Sequence, residues 1–106
     1  MKRDYKENIN KLKSLKKGDV FILSYYMGKK VIYRKVCLFE GIVRKNDNIS
    51  VNYILIGYLY KNEDYPHETV YEKNTITISE NNYTSFSNYD VTLDGNKLDK
   101  YAHLLI

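Results

Sequence analysis

A chain of 106 residues, 43% hydrophobic and 28% charged, fits one domain that buries its own core without metal or disulfide help, and its single cysteine, Cys37, excludes an intramolecular disulfide. The formal charge of +4 is unevenly spread: residues 1–45 carry thirteen Lys or Arg against four Asp or Glu, and residues 46–106 carry four against nine. No stretch nears the roughly 20 apolar residues of a membrane span, and the charged start from Met1 to Asn8 has no apolar segment behind it, so the expected setting is the cytoplasm with no membrane partner.

The basic N-terminal segment, 1–17, holds the first periodic pattern. Tyr5, Ile9 and Leu12 fall at i, i+4 and i+7, which predicts a short amphipathic helix over 3–15 with Asp4 and Glu7 in its first turn and lysines toward its end. So short a helix is marginal alone and must pack its Ile9, Leu12 and Leu15 stripe on the remainder of the domain. Gly18 is the expected stop.

From residue 18 to 106 the pattern is that of strands. Val20 to Tyr26 is apolar at both parities, as in a strand covered on both sides, and Met27-Gly28-Lys29-Lys30 reads as a turn. Val31 to Lys45 would reach about 50 Å if straight, too long for an ordinary strand, so it must bend, and Gly41 is the candidate for a bulge. Asn46-Asp47-Asn48 makes the next turn, and Ile49 to Tyr60 is a third strand interrupted at Gly57. A polar loop over Lys61 to Glu68 contains Pro66. Thr69 to Ser79 is a fourth strand, with Thr75, Thr77 and Ser79 outward and Ile76 and Ile78 inward. After a polar stretch from Glu80 to Asn88, Val91-Thr92-Leu93 meets the hairpin signal Asp94-Gly95 and returns through Asn96-Lys97-Leu98. The end, Asp99 to Ile106, fits either a strand or a helical turn.

These elements predict a mainly β domain with a short N-terminal helix, built as a small curved antiparallel sheet or partly open barrel of SH3-like or OB-like type. The segment Leu15-Lys16-Lys17-Gly18-Asp19-Val20, followed by a long strand carrying Phe39-Glu40-Gly41-Ile42-Val43, resembles the opening of SH3-like barrels in ribosomal and transcription-associated proteins. It also resembles the first strand of the MazF-like ribonuclease toxins, although the Arg-Pro that follows in that family is missing.

Catalytic patterns are wanting. His67 and His103 lack a ligating partner at i+3 or i+4, and a second cysteine for a zinc site does not exist. Glu40, the one carboxylate in an apolar strand, shares parity with Arg34 and Arg44 and reads as a paired or solvent-facing residue. Cys37, between Val36 and Leu38, reads as a buried, unreactive thiol. Serine-nucleophile, P-loop and dinucleotide signatures are absent, so the expectation is a non-enzymatic protein without a cofactor.

Binding is then the function to look for. Fourteen Lys against three Arg, with eleven Asn, ten Ile and twelve Tyr, is the codon signature of an AT-rich genome, which inflates Lys and Tyr totals but does not explain their placement. Lys16, Lys17, Lys29, Lys30, Arg34, Lys35, Arg44 and Lys45, interleaved with Tyr25, Tyr26 and Tyr33, combine cations for phosphates with aromatic faces for bases, so the leading expectation is a module binding DNA or RNA. The alternative uses the acidic half: Glu63, Asp64, Tyr65, Glu68, Tyr71 and Glu72 suit a nucleic-acid-handling protein, as in a phage or mobile-element inhibitor or adapter of the anti-CRISPR kind.

Overall fold

The computed structural model describes residues 5–59, 69–81 and 86–93. Helix α1 (Tyr5–Lys13) is followed by β1 (Val20–Met27), β2 (Lys30–Lys45), β3 (Asn48–Leu59), β4 (Glu72–Ser79) and β5 (Tyr89–Leu93). All neighbours are antiparallel in the order β4-β3-β2-β1-β5, so four strands run as a meander and β5 returns to the free side of β1. The sheet is curved and open, as the strand pattern predicts, with β4 and β5 at its two edges.

Tight turns set the meander. Met27 pairs with Lys30, leaving a two-residue loop in which Gly28 takes φ +62°, the positive angle that a type II′ turn requires at its first central position. Asn46, at φ 56°, fills the same place between Lys45 and Asn48, and Asn tolerates that region better than most residues. Gly18 does something other than end the helix. The helix stops at Lys13, where the Ser14 hydroxyl donates to the Lys11 carbonyl at 2.7 Å. Gly18, at φ +96°, instead turns the chain into β1: the Asp19 amide donates to the Lys16 carbonyl at 2.9 Å, and the Asp19 side chain accepts from the Lys16 amide at 2.9 Å.

The long β2 bends through bulges. Its register shifts at Ile32, opposite the Tyr25/Tyr26 step, and again between Phe39 and Gly41, while β3 carries an extra residue, Ile56, opposite the Val36/Cys37 step. Gly41 therefore sits at a bulge, as predicted. Its φ is not positive, and a Cβ there would meet nothing within 4 Å, so the glycine is not required by crowding or a left-handed backbone.

Both faces of the sheet hold apolar clusters. On one, Ile9 and Leu12 of α1 pack with Phe21, Leu23, Cys37, Phe39, Val51, Tyr53, Ile78 and Val91, and Phe21 meets Phe39 and Tyr53 edge to face at 6.5 and 5.9 Å. On the other, Val20, Val36, Ile56 and Leu59 are buried with Ile22 and Leu38 against them. This division explains why β1 is apolar at both parities. Toward β4 the second face becomes polar: the Thr75 hydroxyl donates to Asn52 Oδ1 at 2.7 Å, and the Ser50 and Thr77 hydroxyls lie 3.3 Å apart.

The fourth strand begins at Glu72 rather than Thr69, because Tyr71 takes φ 55° and breaks the ladder after the Val70 amide has donated to the Ile56 carbonyl at 2.8 Å. β5 starts two residues before Val91. The Lys61 to Glu68 loop, the Asp94-Gly95 hairpin with its return arm, His67, His103 and the segment Asp99 to Ile106 lie outside the described residues. Among the described residues no helix is long and apolar enough to cross a membrane.

Candidate binding surface on the first hairpin

Residues paired directly across antiparallel strands share a face, so the register sorts the predicted cations and tyrosines. Tyr25 pairs with Tyr33 on one side and Tyr89 on the other, and Lys35 pairs with Leu23 and Tyr58. These side chains share one face on two neighbouring rungs, Tyr89–Tyr25–Tyr33 and Leu23–Lys35–Tyr58, and make a staggered row across β5, β1, β2 and β3. Tyr25 stacks on Tyr33 at 5.2 Å and lies tilted against Tyr89 at 5.2 Å, Tyr33 meets Tyr58 edge-on at 6.0 Å, and Phe86 stacks on Tyr89 at 4.9 Å. The Lys35 ammonium sits over the Tyr33 ring at 5.0 Å and the Tyr58 ring at 5.9 Å. A cation held against two aromatic faces is stabilised by about 0.5–2 kcal/mol per contact, depending on how far it is desolvated.

The row is half-buried, not sealed. Burial raises the Tyr33 hydroxyl above the ordinary tyrosine range, and its hydrogen bond with the Tyr89 side chain raises it further. Tyr33 therefore stays neutral. Phe86 and Tyr89 extend this row into the core, which continues through Val91 and Leu23 to α1. The aromatic surface is thus mounted on rigid elements.

Only part of the predicted basic set joins it. Lys29 and Lys30 are exposed at the adjacent hairpin tip, continuous with the row. Arg34 pairs with Ser24 and Leu59, on the opposite face of the sheet, and Tyr26 pairs with Val31 past the bulge while its amide donates to the Asn88 carbonyl at 2.8 Å. Lys16 and Lys17 lie in the turn before β1, at the end of that strand away from the tip. Arg44 and Lys45 end β2, and Arg44 is ion-paired with Glu80 at 3.2 Å, which also lies 3.7 Å from Lys13. The bulge at Glu40 reverses the parity of β2, so Arg34 and Arg44 do not share a face as their spacing predicts; Glu40 itself is half-buried, and Arg44 is paired with Glu80.

Of the alternative acidic set, Tyr71 and Glu72 are exposed at the entry to β4, and Glu63, Asp64, Tyr65 and Glu68 lie outside the described residues. Tyr58, Phe86 and Tyr89 were missed by sequence reasoning. Gly57 before Tyr58 was the only local signal, and nothing in residues 80–93 announces that β5 will pair with β1. Among the described residues there is no cluster of three or more His, Cys, Asp or Glu that would hold a metal ion. Cys37 is fully buried and its thiol is pushed far up by desolvation, so it is unsuited to nucleophilic chemistry. No family model, curated protein or solved structure matches the chain.

Proposed function

We propose that this protein is a non-enzymatic module that binds single-stranded nucleic acid on the face carrying Tyr25, Tyr33, Lys35, Tyr58 and Tyr89, with Lys29 and Lys30 at its margin. The observation that carries the reading is the Lys35 ammonium over the Tyr33 and Tyr58 rings, in line with Tyr25 and Tyr89. Single strands are bound by joining aromatic faces, which accept any base, to cations that neutralise phosphates, and this row joins both on one sheet face. Arg34, Tyr26, Lys16, Lys17, Arg44 and Lys45 fall outside the proposed surface.

The test is anisotropy titration of a labelled single strand over a salt series. Three lysines neutralising three phosphates predict a log–log slope of about −2. Tyr25→Ala should weaken binding by about 1–3 kcal/mol and leave that slope unchanged, whereas Lys29→Ala with Lys30→Ala should flatten it by roughly 1.4. Absence of binding to DNA or RNA at about 50 mM salt, where electrostatic affinity is favoured, rejects the reading.

A second reading, docking on a nucleic-acid-handling protein, rests on Tyr71, which is exposed and held at φ 55° beside Glu72. A bulky side chain in that backbone region stands where strain accompanies function in other proteins. Charge reversal at Glu72 together with Glu63, Asp64 and Glu68 would abolish such docking and leave single-strand binding intact.

A further inference from the structure

Three of the exposed large apolar side chains lie at a single place, the tip of the first hairpin: Met27 is 64% exposed, Val31 43% and Ile32 42%. Between them stand Gly28, Lys29 and Lys30, the lysines exposed as well. A hairpin tip needs no apolar side chains for its own stability, since the Gly28 turn and the β1–β2 ladder hold it. Met27 and Lys30, paired with each other, stand on the face of Tyr25, Val31 pairs with Tyr26 on the other face, and the bulge at Ile32 adds an unpaired apolar residue beside them, so the ribbon ends in apolar side chains on both faces. Immediately behind that end begins the aromatic row, with Tyr25 and Tyr33 on the next paired rung.

Single-strand binding alone uses the tyrosines and lysines and leaves Met27, Val31 and Ile32 in water. Duplex phosphates likewise have no use for them. One ligand uses all three parts: a duplex that ends in a single-stranded tail. Its last base pair exposes one apolar face, two backbones diverge around it, and the tail leads away as unstacked bases. Apolar side chains are known to wedge against base steps, and the accompanying cations meet the flanking phosphates.

We propose that the hairpin tip is a wedge that seats Met27, Val31 and Ile32 on the terminal base pair of a duplex, Lys29 and Lys30 on the diverging backbones, and the emerging strand on the tyrosine row. The inference rests on the nucleic-acid reading above and narrows its ligand to a junction between double and single strand.

The experiment compares three labelled DNAs at about 50 mM salt: a single strand, a blunt duplex, and that duplex with a tail of about eight nucleotides. The tailed duplex should bind about tenfold more tightly than the single strand, the worth of one added stacking contact. The double variant Met27→Ser, Ile32→Thr changes exposed residues only and should erase that advantage while keeping single-strand affinity. Equal affinity for the tailed duplex and the single strand overturns the wedge and leaves the single-strand reading standing. So does an advantage that survives the double variant. Failure to bind any of the three rejects both. Sedimentation with anionic phosphatidylserine vesicles, lost in the double variant and unaccompanied by any junction preference, would overturn the wedge in favour of a lipid surface.

Discussion

Asn8 of the helix and Val91 of the last strand, 83 positions apart, are joined by a hydrogen bond from the Val91 amide to Asn8 Oδ1 at 3.1 Å. The same side chain returns its Nδ2 to the Tyr89 carbonyl at 3.0 Å, and Lys11 Nζ donates to the Val91 carbonyl at 3.1 Å. A carboxamide meeting the amide and carbonyl of alternate residues does for the outer edge of β5 what another strand would do. An open edge is a liability for pairing with other chains, and here α1 covers it with side chains while Ile9 and Leu12 enter the core.

Asn8 is 2% exposed, so removing it strands its partners where water does not replace it. Asn8→Ala should cost about 2–4 kcal/mol, the desolvation penalty of an unsatisfied amide and carbonyl together. Asn8→Asp should be no better, since it sets a carboxylate against the Tyr89 carbonyl. Asn10, exposed one helical step away, is the control, and its change to Ala should stay within about 0.5 kcal/mol. Urea denaturation of the three variants checks the order.

The glycines provide a second comparison. Gly18 and Gly28 hold φ of +96° and +62°, so Gly18→Ala and Gly28→Ala should each destabilise by about 1–2 kcal/mol although a Cβ would touch nothing within 4 Å at either site. Gly41→Ala should be neutral, or stabilise by about 0.4–1 kcal/mol through the unfolded chain. Thermal denaturation in which Gly41→Ala proved the worst of the three would refute this reading of the bulge.

The strand order shows why local pattern carried so far and no further. Gly28 and Asn46 announce their turns, the Thr75/Ile76/Thr77/Ile78 alternation assigns the faces of β4, and the β-formers of β1 at both parities anticipate two apolar clusters. The limits are non-local. A single bulge at Glu40, beside the Gly41 that announces it, exchanges the faces of everything after it, which separates Arg34 from Arg44 although they share parity in the sequence. The Tyr25 and Tyr33 pair exists only because Ile32 bulges, Tyr58 joins through a β3 register set by Ile56, and Tyr89 through a return of the chain to β1. Nothing local marks Asn8, because its partners are more than eighty positions away.

Buried hydroxyl and thiol groups predict the response to alkali. Burial raises Tyr33 and Tyr53 above their ordinary value of about 10, with the Tyr89 hydrogen bond adding to Tyr33 and neighbouring groups to Tyr53. The folded chain keeps these protons after the unfolded chain has lost them, so their contribution to stability is whole below about pH 10 and falls as pH rises beyond it. Ultraviolet titration should show Tyr33 and Tyr53 ionising only as the fold is lost. Cys37, raised by the same cause, should resist a thiol reagent in the native state and react once per chain in denaturant.

Arg44 separates charge that is present from charge that is available. Glu80 holds it at 3.2 Å and is itself fixed by its amide, which donates to the Asp47 carbonyl at 2.7 Å, so the carboxylate stands ready at the β2–β3 turn. The Arg44 side chain is 61% exposed, and pairs of that kind contribute about 0–1 kcal/mol and are screened by salt. Arg44→Ala should therefore lower stability by less than about 1 kcal/mol, an effect that disappears near 1 M salt. In binding it should be silent, because it lies at the far end of β2 from the tyrosine row and its charge is already met. Lys29→Ala alone should flatten the salt slope by about 0.7, and Arg44→Ala should leave the slope where it was. Equal effects from the two substitutions would place the phosphate track along the whole of β2 and remove the tyrosine row from its centre.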